Sequence, residues 1–442
     1  MTFDGPIGGL IDFAIGGGWG SEVPKEKHSR VAVIRGTDIP KVAAGDFSTV
    51  PFRYESDKKI LNRILAPGDI VLETAGGSSA NGQYTGRTLL ITQEILDVLG
   101  PTICASFCKK LVLNKVLVTP PYFYFYMQDL YKSGRVASYD SQSTGISNFQ
   151  YEAFVNNEVL ELPKLELQTS VAAALSNLQF KINTNSQISK TLEDIAQTIF
   201  KSWFIDFDPV KAKMAGEKPA GMDAATAALF ANSMEESELG LIPKGWEVRK
   251  IESLCETLLG GTPSRTKDEY WGGVIPWINS GKVNDFRICT PSEYITELGL
   301  EKSATKLLPK GTTVLAITGA TLGQFSRLEF DSCANQSVVG ILGSDDASNE
   351  FIYLNIKNGI QRLISAQTGG AQQHINKEDV NAFSIVYPGK KLMYAFTDAV
   401  EGIFSEIGVL LNQSISLAEI RDSLLPRLIS GELQIPEEML AT

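Results

Sequence analysis

The chain repeats itself. Ile182, Leu192, Ile195 and Phe200 return later, with the same spacing and without a gap, as Ile407, Leu417, Ile420 and Leu425. Nearer the start, Leu10, Gly16, Gly17 and Ile34 return over a slightly longer interval as Leu254, Gly260, Gly261 and Ile278. A tandem duplication restricts the fold more tightly than composition does, because both halves must adopt similar structures. It also gives a monomer a two-fold pseudo-axis. Such a molecule can present two similar surfaces to a two-fold partner, and duplex DNA is one.

At 442 residues the chain should form two or more domains, each large enough for its own core. Hydrophobic residues make up 43% of it and mean hydropathy is -0.01, which points to a soluble globular protein. No apolar run approaches the roughly 20 residues that span a bilayer, and no basic leader region opens the chain. Neither a membrane nor a secretory route is expected. Cys104, Cys108, Cys255, Cys289 and Cys333 are odd in number and lack zinc-site spacing. Cys104 and Cys108 would share a helix face or simply be buried. A reducing, cytoplasmic compartment fits this set best.

The net charge of -11 argues at first against nucleic acid. Its distribution weakens the objection. Residues 1–160 hold fifteen basic against sixteen acidic side chains, and residues 241–388 hold fourteen against sixteen. Residues 161–240 hold seven against eleven, and residues 389–442 four against eight. The excess acid therefore lies outside the two large repeats. Near-neutral modules can bind DNA, but weakly by themselves. A basic partner would have to supply most of the phosphate neutralisation.

Each repeat has two parts. The first, residues 1–158 and 241–388, is rich in short β-like runs: Val31–Arg35, Ile70–Glu73 and Thr88–Thr92, then Val274–Asn279, Thr313–Ile317 and Val338–Leu342. LAPGDIVLETAGG (Leu65–Gly77) matches LPKGTTVLAITGA (Leu308–Ala320), each a glycine turn feeding a buried strand. A helical stretch is expected at Phe351–Ala366, with Met127–Val136 after the aromatic run Tyr122–Tyr126 in the same place. The second part, residues 159–207 and 389–433, reads as helix. Val171, Leu175, Leu178, Ile182, Leu192, Ala196, Ile199 and Trp203 mark an apolar seam, interrupted by Asn185 and Ser189. The second copy has Phe396, Val400, Ile403, Ile407, Leu410, Leu417, Leu424 and Leu428 in the same pattern, interrupted by Ser414 and Arg421. Spacings of three and four sustained this far form a heptad seam. Two amphipathic helices on separate cores would be the plainer alternative. Matched register and length favour packing against each other, antiparallel, as a perpendicular pseudo-axis requires. Residues 208–240 carry Pro209, Gly216, Pro219, Gly221 and the acidic run Glu235–Glu238, and read as an exposed linker with mobile parts.

Three strings carry a family resemblance. SKTLEDIAQTIFKSWFIDFDPV (Ser189–Val210), LGLIPKGWEV (Leu239–Val248) and SLAEIRDSLLPRLISGEL (Ser416–Leu433) resemble the central conserved region, the opening of the second target-recognition domain and the distal conserved region of the DNA-specificity (S) subunit of type I restriction–modification systems. The resemblance covers essentially the whole chain. It departs at the start, where the first copy lacks a counterpart of Pro243–Trp246. It implies an α/β (α+β) chain: two globular target-recognition domains, residues 1–158 and 241–388, related by pseudo-two-fold symmetry and separated by two long antiparallel coiled-coil helices. The function implied is non-catalytic recognition of a bipartite, asymmetric site on double-stranded DNA. The partners implied are two adenine-N6 methyltransferase subunits, which bind their own S-adenosylmethionine, and up to two ATP-dependent translocase–nuclease subunits. No cofactor is expected on this chain. Acidic helix residues such as Glu193 and Asp194 would be docking faces for the methyltransferase.

Rival chemistry is weaker. Thr119-Pro120-Pro121-Tyr122 approximates the Asn/Asp-Pro-Pro-Tyr loop of amino-methyltransferases, but Thr occupies the acceptor position and no glycine-rich cofactor loop precedes it. A rigid turn is the better reading. The glycines at 16–18 and 260–261 lack a following Gly-Lys-Ser/Thr, which leaves a backbone turn, at most one close to DNA phosphate. Asp69 and Glu73 flank a strand as nuclease carboxylates do, but copy two has Thr312 and Ala316 there. Only His28 and His374 exist, so no histidine metal site is expected. A bivalent protein scaffold and a charge-mimicking decoy are the remaining alternatives.

Base edges are read by Arg, Lys, Asn, Gln, Ser and Thr on surfaces that reach a groove. Around the first strand of copy one the candidates are Lys25, Lys27, Arg30, Arg35 and Lys41. The matching region of copy two offers Ser264, Arg265, Lys267, Asn279, Ser280 and Lys282. The loops at Gly76–Arg87 and Gly319–Arg327 add Gln83, Tyr84, Arg87, Gln324 and Arg327. Gln372, Gln373 and His374 complete the set.

Overall fold

The computed structural model describes residues 3–76, 84–143, 146–365 and 375–433. The chain divides into two compact units, Met1–Gln187 with Gln413–Thr442, and Ile188–Asn412.

The first unit holds nine strands that matter here: β1 Phe3–Pro6, β2 Ile11–Gly16, β3 His28–Ile34, β4 Phe52–Ser56, β5 Ile70–Glu73, β6 Thr88–Leu90, β7 Thr102–Cys104, β8 Cys108–Leu113 and β9 Val159–Leu162. They form a four-stranded sheet β2-β8-β5-β6, a three-stranded sheet β4-β3-β7 and the pair β1-β9. Helix α1, Pro120–Lys132, starts at the Thr-Pro-Pro-Tyr sequence. Proline there costs nothing, because the first helical N–H groups have no intrahelical partner anyway. Tyr122 is fully buried, so the segment is a helix start and not a catalytic loop.

The first unit also has a three-stranded sheet of Ala75–Gly76, Asp140–Ser143 and Ile146–Phe149, without a counterpart among the described residues of the second, which has instead the antiparallel pair Met234–Ser237 and Gly240–Pro243. The second unit repeats the other nine strands one for one. Its strands are β10 Glu247–Lys250, β11 Glu256–Leu259, β12 Trp271–Ile278, β13 Glu293–Ile295, β14 Thr313–Ala316, β15 Phe325–Arg327, β16 Cys333–Ala334, β17 Val338–Leu342 and β18 Ser384–Tyr387. The sheets are β11-β17-β14-β15, β13-β12-β16 and β10-β18. Register is also shared between the copies. Ile70 faces Leu111 and Leu90, as Thr313 faces Ile341 and Arg327. Ile34 pairs in parallel with Cys104, as Ile278 does with Ala334. Side-chain direction alternates along a strand, so a slip of one residue would turn the core face outward.

One local difference corrects the sequence alignment. Strand β2 pairs Ile11 with Leu113 but Phe13 with Val112, so Asp12 is an extra, bulged residue. Past the bulge, Gly17 and Gly18, not Gly16 and Gly17, match Gly260 and Gly261. Cys104 and Cys108 lie on strands, not on a helix face, and both are buried. Burial pushes the Cys104 thiol up to about 12.

Helices α2, Leu165–Phe204, and α4, Lys390–Ile429, are each 40 residues long. Their first residues, Leu165 and Lys390, are separated by the same interval as Ile182 and Ile407, so the helices start at equivalent points of the repeat. Helix α3, Asn349–Ser365, is the second-copy partner of α1. None of the seam positions of α2 or α4 is exposed. In the first unit, Arg421 donates to Gln179 and Asn185 donates to Gln413 at 3.5 Å. Numbers rise on one helix as they fall on the other, so the helices pair antiparallel. Val171, Leu175, Leu425 and Leu428 enter one core with Tyr122 and Phe123. In the second unit, Phe200, Trp203 and Phe204 meet Phe396 with ring centroids 5.8, 5.9 and 5.0 Å apart. Leu425 and Leu428 occupy the repeat positions of Phe200 and Trp203, so the same helix face is aromatic in one copy and aliphatic in the other.

Two expectations about exposure are overturned. Residues 208–240 are not simply a linker surface. Val210 and Phe230 are buried in the second unit's core, where Phe230 packs edge-on against Trp203 at 5.2 Å. Apolar side chains on both sides of the prolines gain more from that core than from water. Glu193 is only 2% exposed. It accepts hydrogen bonds from Arg287 Nη2 at 2.6 Å, Lys357 Nζ at 2.7 Å and Tyr353 Oη at 2.9 Å. The wholly buried Arg287 guanidinium lies 4.3 Å from the Tyr353 ring and 4.8 Å from that of Phe404. Burial pushes the Tyr353 hydroxyl up, so it remains a donor. Copy one has Ala418 at the matching place and no such acid. Glu193 thus ties α2 to the second unit's interior, while Asp194 is exposed.

Removing one partner of a buried ion pair leaves an uncompensated charge. Glu193→Ala should therefore destabilise the protein by about 3–5 kcal/mol, whereas Asp194→Ala should stay within about 0.5 kcal/mol. Urea denaturation of the two variants measures this.

Candidate nucleic-acid interface

The glycine corners set the geometry in both copies. A Cβ on Gly17 would lie 2.1 Å from the Cys104 carbonyl oxygen, and one on Gly260 would lie 2.1 Å from that of Asn335. No side chain fits there. Gly17 and Gly18 donate to Cys108 and Cys104 carbonyls, each at 2.9 Å. Gly260 and Gly261 donate to Val338 and Ala334, at 2.9 and 2.8 Å. These N–H groups are spent inside the domain, so they do not cradle a phosphate. The glycines serve to let the backbone pass in contact with the residues at the ends of β7 and β16.

That loop carries a matched arrangement in each unit. In the second, Arg265 Nη1 and Nη2 donate to the two Glu293 oxygens at 2.6 and 2.7 Å. The guanidinium lies 3.5 Å from the centre of the Trp271 ring. Trp271 stands edge-on to Trp277 at 5.2 Å and donates to the Ser264 carbonyl. The Arg265 side chain is 51% exposed and that of Glu293 42%. The hydrogen bond from Arg265 holds the Glu293 carboxyl below its usual value. In the first unit, Arg53 of β4 pairs with Glu22 at 3.1 Å and lies 4.8 Å from the Trp19 ring. Glu22 is four residues past Gly18, and Arg265 is four past Gly261. The loop and the β4 or β13 strand therefore carry the same pair with its charges exchanged.

A polar cavity of about 340 Å³ opens beside the first corner, lined by Trp19, Lys25, His28, Lys59 and Arg63 above the buried Glu55. Cations thus gather here although the chain as a whole is acidic. Among the described residues no group of three or more His, Cys, Asp or Glu is placed to hold a metal ion. No helix among them is long and apolar enough to cross a membrane.

The residues proposed from sequence fall into three places. Lys25, Lys27 and Arg30 are exposed beside the first corner, with Arg30 over the Phe52 ring at 3.9 Å. Ser264, Arg265 and Lys267 are exposed beside the second, and Lys267 donates to the Tyr270 hydroxyl. A second place is the turn after β3 or β12. There Arg35 forks onto Asp38 at 2.8 and 2.9 Å, while Lys41 is exposed. Burial raises the Asp38 carboxyl, but hydrogen bonds from Arg35 and Thr49 outweigh it and hold it below the usual range. Asn279 caps the matching 3-10 turn, Ser280 opens it, and Lys282 bonds Asp285 and Thr290. The third place is β6 and β15. Tyr84 and Gln324 are exposed, but Arg87 forks onto the buried Glu73 at 2.8 and 2.6 Å. Arg327 is buried and bonds Glu329 and Glu350. Arg35, Arg87 and Arg327 thus brace their own domains. Asp69 pairs with Lys110 at 3.1 Å, so neither it nor Glu73 is an open carboxylate. Gln83, Gln372, Gln373 and His374 lie outside the described residues. Sequence reasoning passes over Trp19, Glu22, Arg53, Trp271 and Glu293. The one signal at a fixed distance is a charge four residues past each glycine corner, Glu22 and Arg265; Trp19 and Trp271 lie one and ten residues past theirs.

Comparison with known proteins agrees with this construction. The family model described as the type I restriction modification DNA specificity domain matches residues 243–394. The specificity subunit of the type I restriction enzyme HindI of Haemophilus influenzae is 30% identical over 324 residues, covering 63% of this chain and 70% of that protein. The MjaIX specificity subunit of Methanocaldococcus jannaschii is 24% identical over 331 residues, covering 74% and 72%. The crystal structure of the S subunit of a type I restriction–modification system from M. genitalium shares the fold, with a TM-score of 0.54 at 13% identity over 97% of this chain and 96% of that one. The family model and these relatives are DNA-specificity proteins, a recognition class and not a catalytic one. The chain belongs to the family of type I restriction–modification DNA-specificity subunits.

Gly17→Ala and Gly260→Ala should each cost about 1–3 kcal/mol or more, because a carbonyl blocks the added methyl. Gly402 lies in α4 with open space around it, and Gly402→Ala should instead add about 0.5–1 kcal/mol. Urea midpoints for the three variants give the comparison.

Proposed function

We propose that this subunit reads a bipartite, asymmetric site on double-stranded DNA, one half-site with each β-rich domain. The observation that carries the reading is the duplicated hydrogen-bond register joined to two 40-residue helices that start one repeat apart. At 1.5 Å per residue each helix is about 60 Å long, against roughly 34–36 Å for one turn of duplex. A helix pair of that length sets a gap between half-sites. Two adenine-N6 methyltransferase subunits dock on the two repeats, each bringing its own S-adenosylmethionine, and up to two translocase–nuclease subunits join for restriction. The complex works in the cytoplasm.

The surface supports two docking places of one kind. Ile195 and Ile420, one repeat apart, are 45% and 46% exposed on their helices. Single exposed apolar side chains are common on any surface; what singles these two out is that they fall at the same repeat position in both copies.

Methylated adenines mapped by single-molecule sequencing, in cells with and without the chain, test the reading. A split motif that vanishes with the chain is expected, and unchanged methylation rejects it. Inserting one heptad into both helices at matched levels lengthens each by about 10 Å, about three base pairs of duplex. The gap should grow by that much with both half-sites intact; altered half-sites with an unchanged gap would refute the ruler. For docking, Ile195→Asp and Ile420→Asp should each lower the methyltransferase content of the purified complex from two copies to one. Native mass spectrometry reads the outcome, and two copies retained in the double variant would reject these sites.

A further inference from the structure

The Arg265–Glu293–Trp271 cluster has the chemistry of a base reader. A guanidinium has five N–H donors in one plane. Here Glu293 takes the end pair, one from each Nη, and Trp271 covers one face at 3.5 Å. No described residue bonds the Nε edge. That edge still offers two parallel donors, from Nε and one Nη, on a side chain that is 51% exposed. Guanine presents two acceptors, O6 and N7, at matching spacing in the major groove.

The neighbours also decide against a phosphate. Phosphate contacts draw on net charge, and Glu293 cancels that of Arg265 at hydrogen-bond distance. What the pair retains is a fixed plane and a fixed direction, which is what base discrimination needs and charge neutralisation does not. The first unit supplies an independent observation. Its loop diverges in sequence, yet it places an arginine, a tryptophan and a glutamate at the same corner, with the charges exchanged. There the Arg53 side chain is only 20% exposed and its Nε is buried, so the open edge belongs to the second domain.

We infer that Arg265 reads a guanine in the half-site bound by the second domain, held in plane by Trp271 and in direction by Glu293. The inference rests on the domains being DNA readers. Its test compares methylation by complexes carrying the full-length chain as wild type, Arg265→Ala or Arg265→Lys. The substrates are duplexes in which each base pair of the mapped site is changed in turn. Lysine keeps the charge but loses the planar fork. Both variants should lose about tenfold to a hundredfold discrimination at one G·C pair of one half-site, with the other half-site and the gap unchanged. Full discrimination in either variant overturns the assignment, and so does a uniform loss across both half-sites in Arg265→Lys. A wild-type complex that methylates without sequence preference would instead sink the DNA-reading function itself.

Discussion

Most of the stability of a 40-residue helix in a folded protein comes from what its apolar face meets. Both long helices have a seam that is nowhere exposed, and each unit's core takes in half of each helix. Everything else follows from that burial. The first unit cannot close without Leu425 and Leu428, which lie at the far end of the chain from its sheets. The second cannot close without Phe200 and Trp203, which precede its first strand. The chain therefore completes each core only once both helices are in place, while each seam residue in those cores serves one of them.

The copies use the same scaffold with different interiors. In the second, buried charge joins helix to sheet through Glu193, Arg287, Tyr353 and Lys357. In the first, Gln179 stands where the second has Phe404. A cavity of about 610 Å³ opens there, between residues 42–47 and helix residues 176–187. A buried ion cluster demands near-complete hydrogen bonding, because unpaired charge in a low-dielectric interior is costly. In the second copy Arg287 meets that demand only in part, since its buried Nε and Nη1 have no hydrogen-bond partner among the described residues.

Much of the fold was legible because repetition doubles every weak signal. A four-residue strand such as Ile70–Glu73 means little alone, but it gains weight when Thr313–Ala316 returns in the same order. The heptad seam was readable because its period persists over the whole helix. The bulge at Asp12 was not, since one inserted residue looks like noise in an alignment and only the ladder shows which residue is skipped. The burial of Glu193, Arg87 and Arg327 was not legible either. A charge on a helix or strand carries no local mark of whether its partner, 94, 14 or 23 residues away, will fold against it. For the same reason the candidate interface was located as loops but not as side chains. Trp19 and Arg53 are brought together by the bridge between Ser21 and Tyr54, which no spacing rule announces.

The exchanged charges at the glycine corners bear on how such chains can be reshuffled. Loop and strand are matched as a pair within each domain: Glu22 with Arg53, Arg265 with Glu293. A crossover that grafted the loop of the first domain onto the hairpin of the second would set glutamate against glutamate. The reverse graft would set arginine against arginine. A breakpoint between corner and strand therefore carries a like-charge conflict that a breakpoint outside the pair avoids.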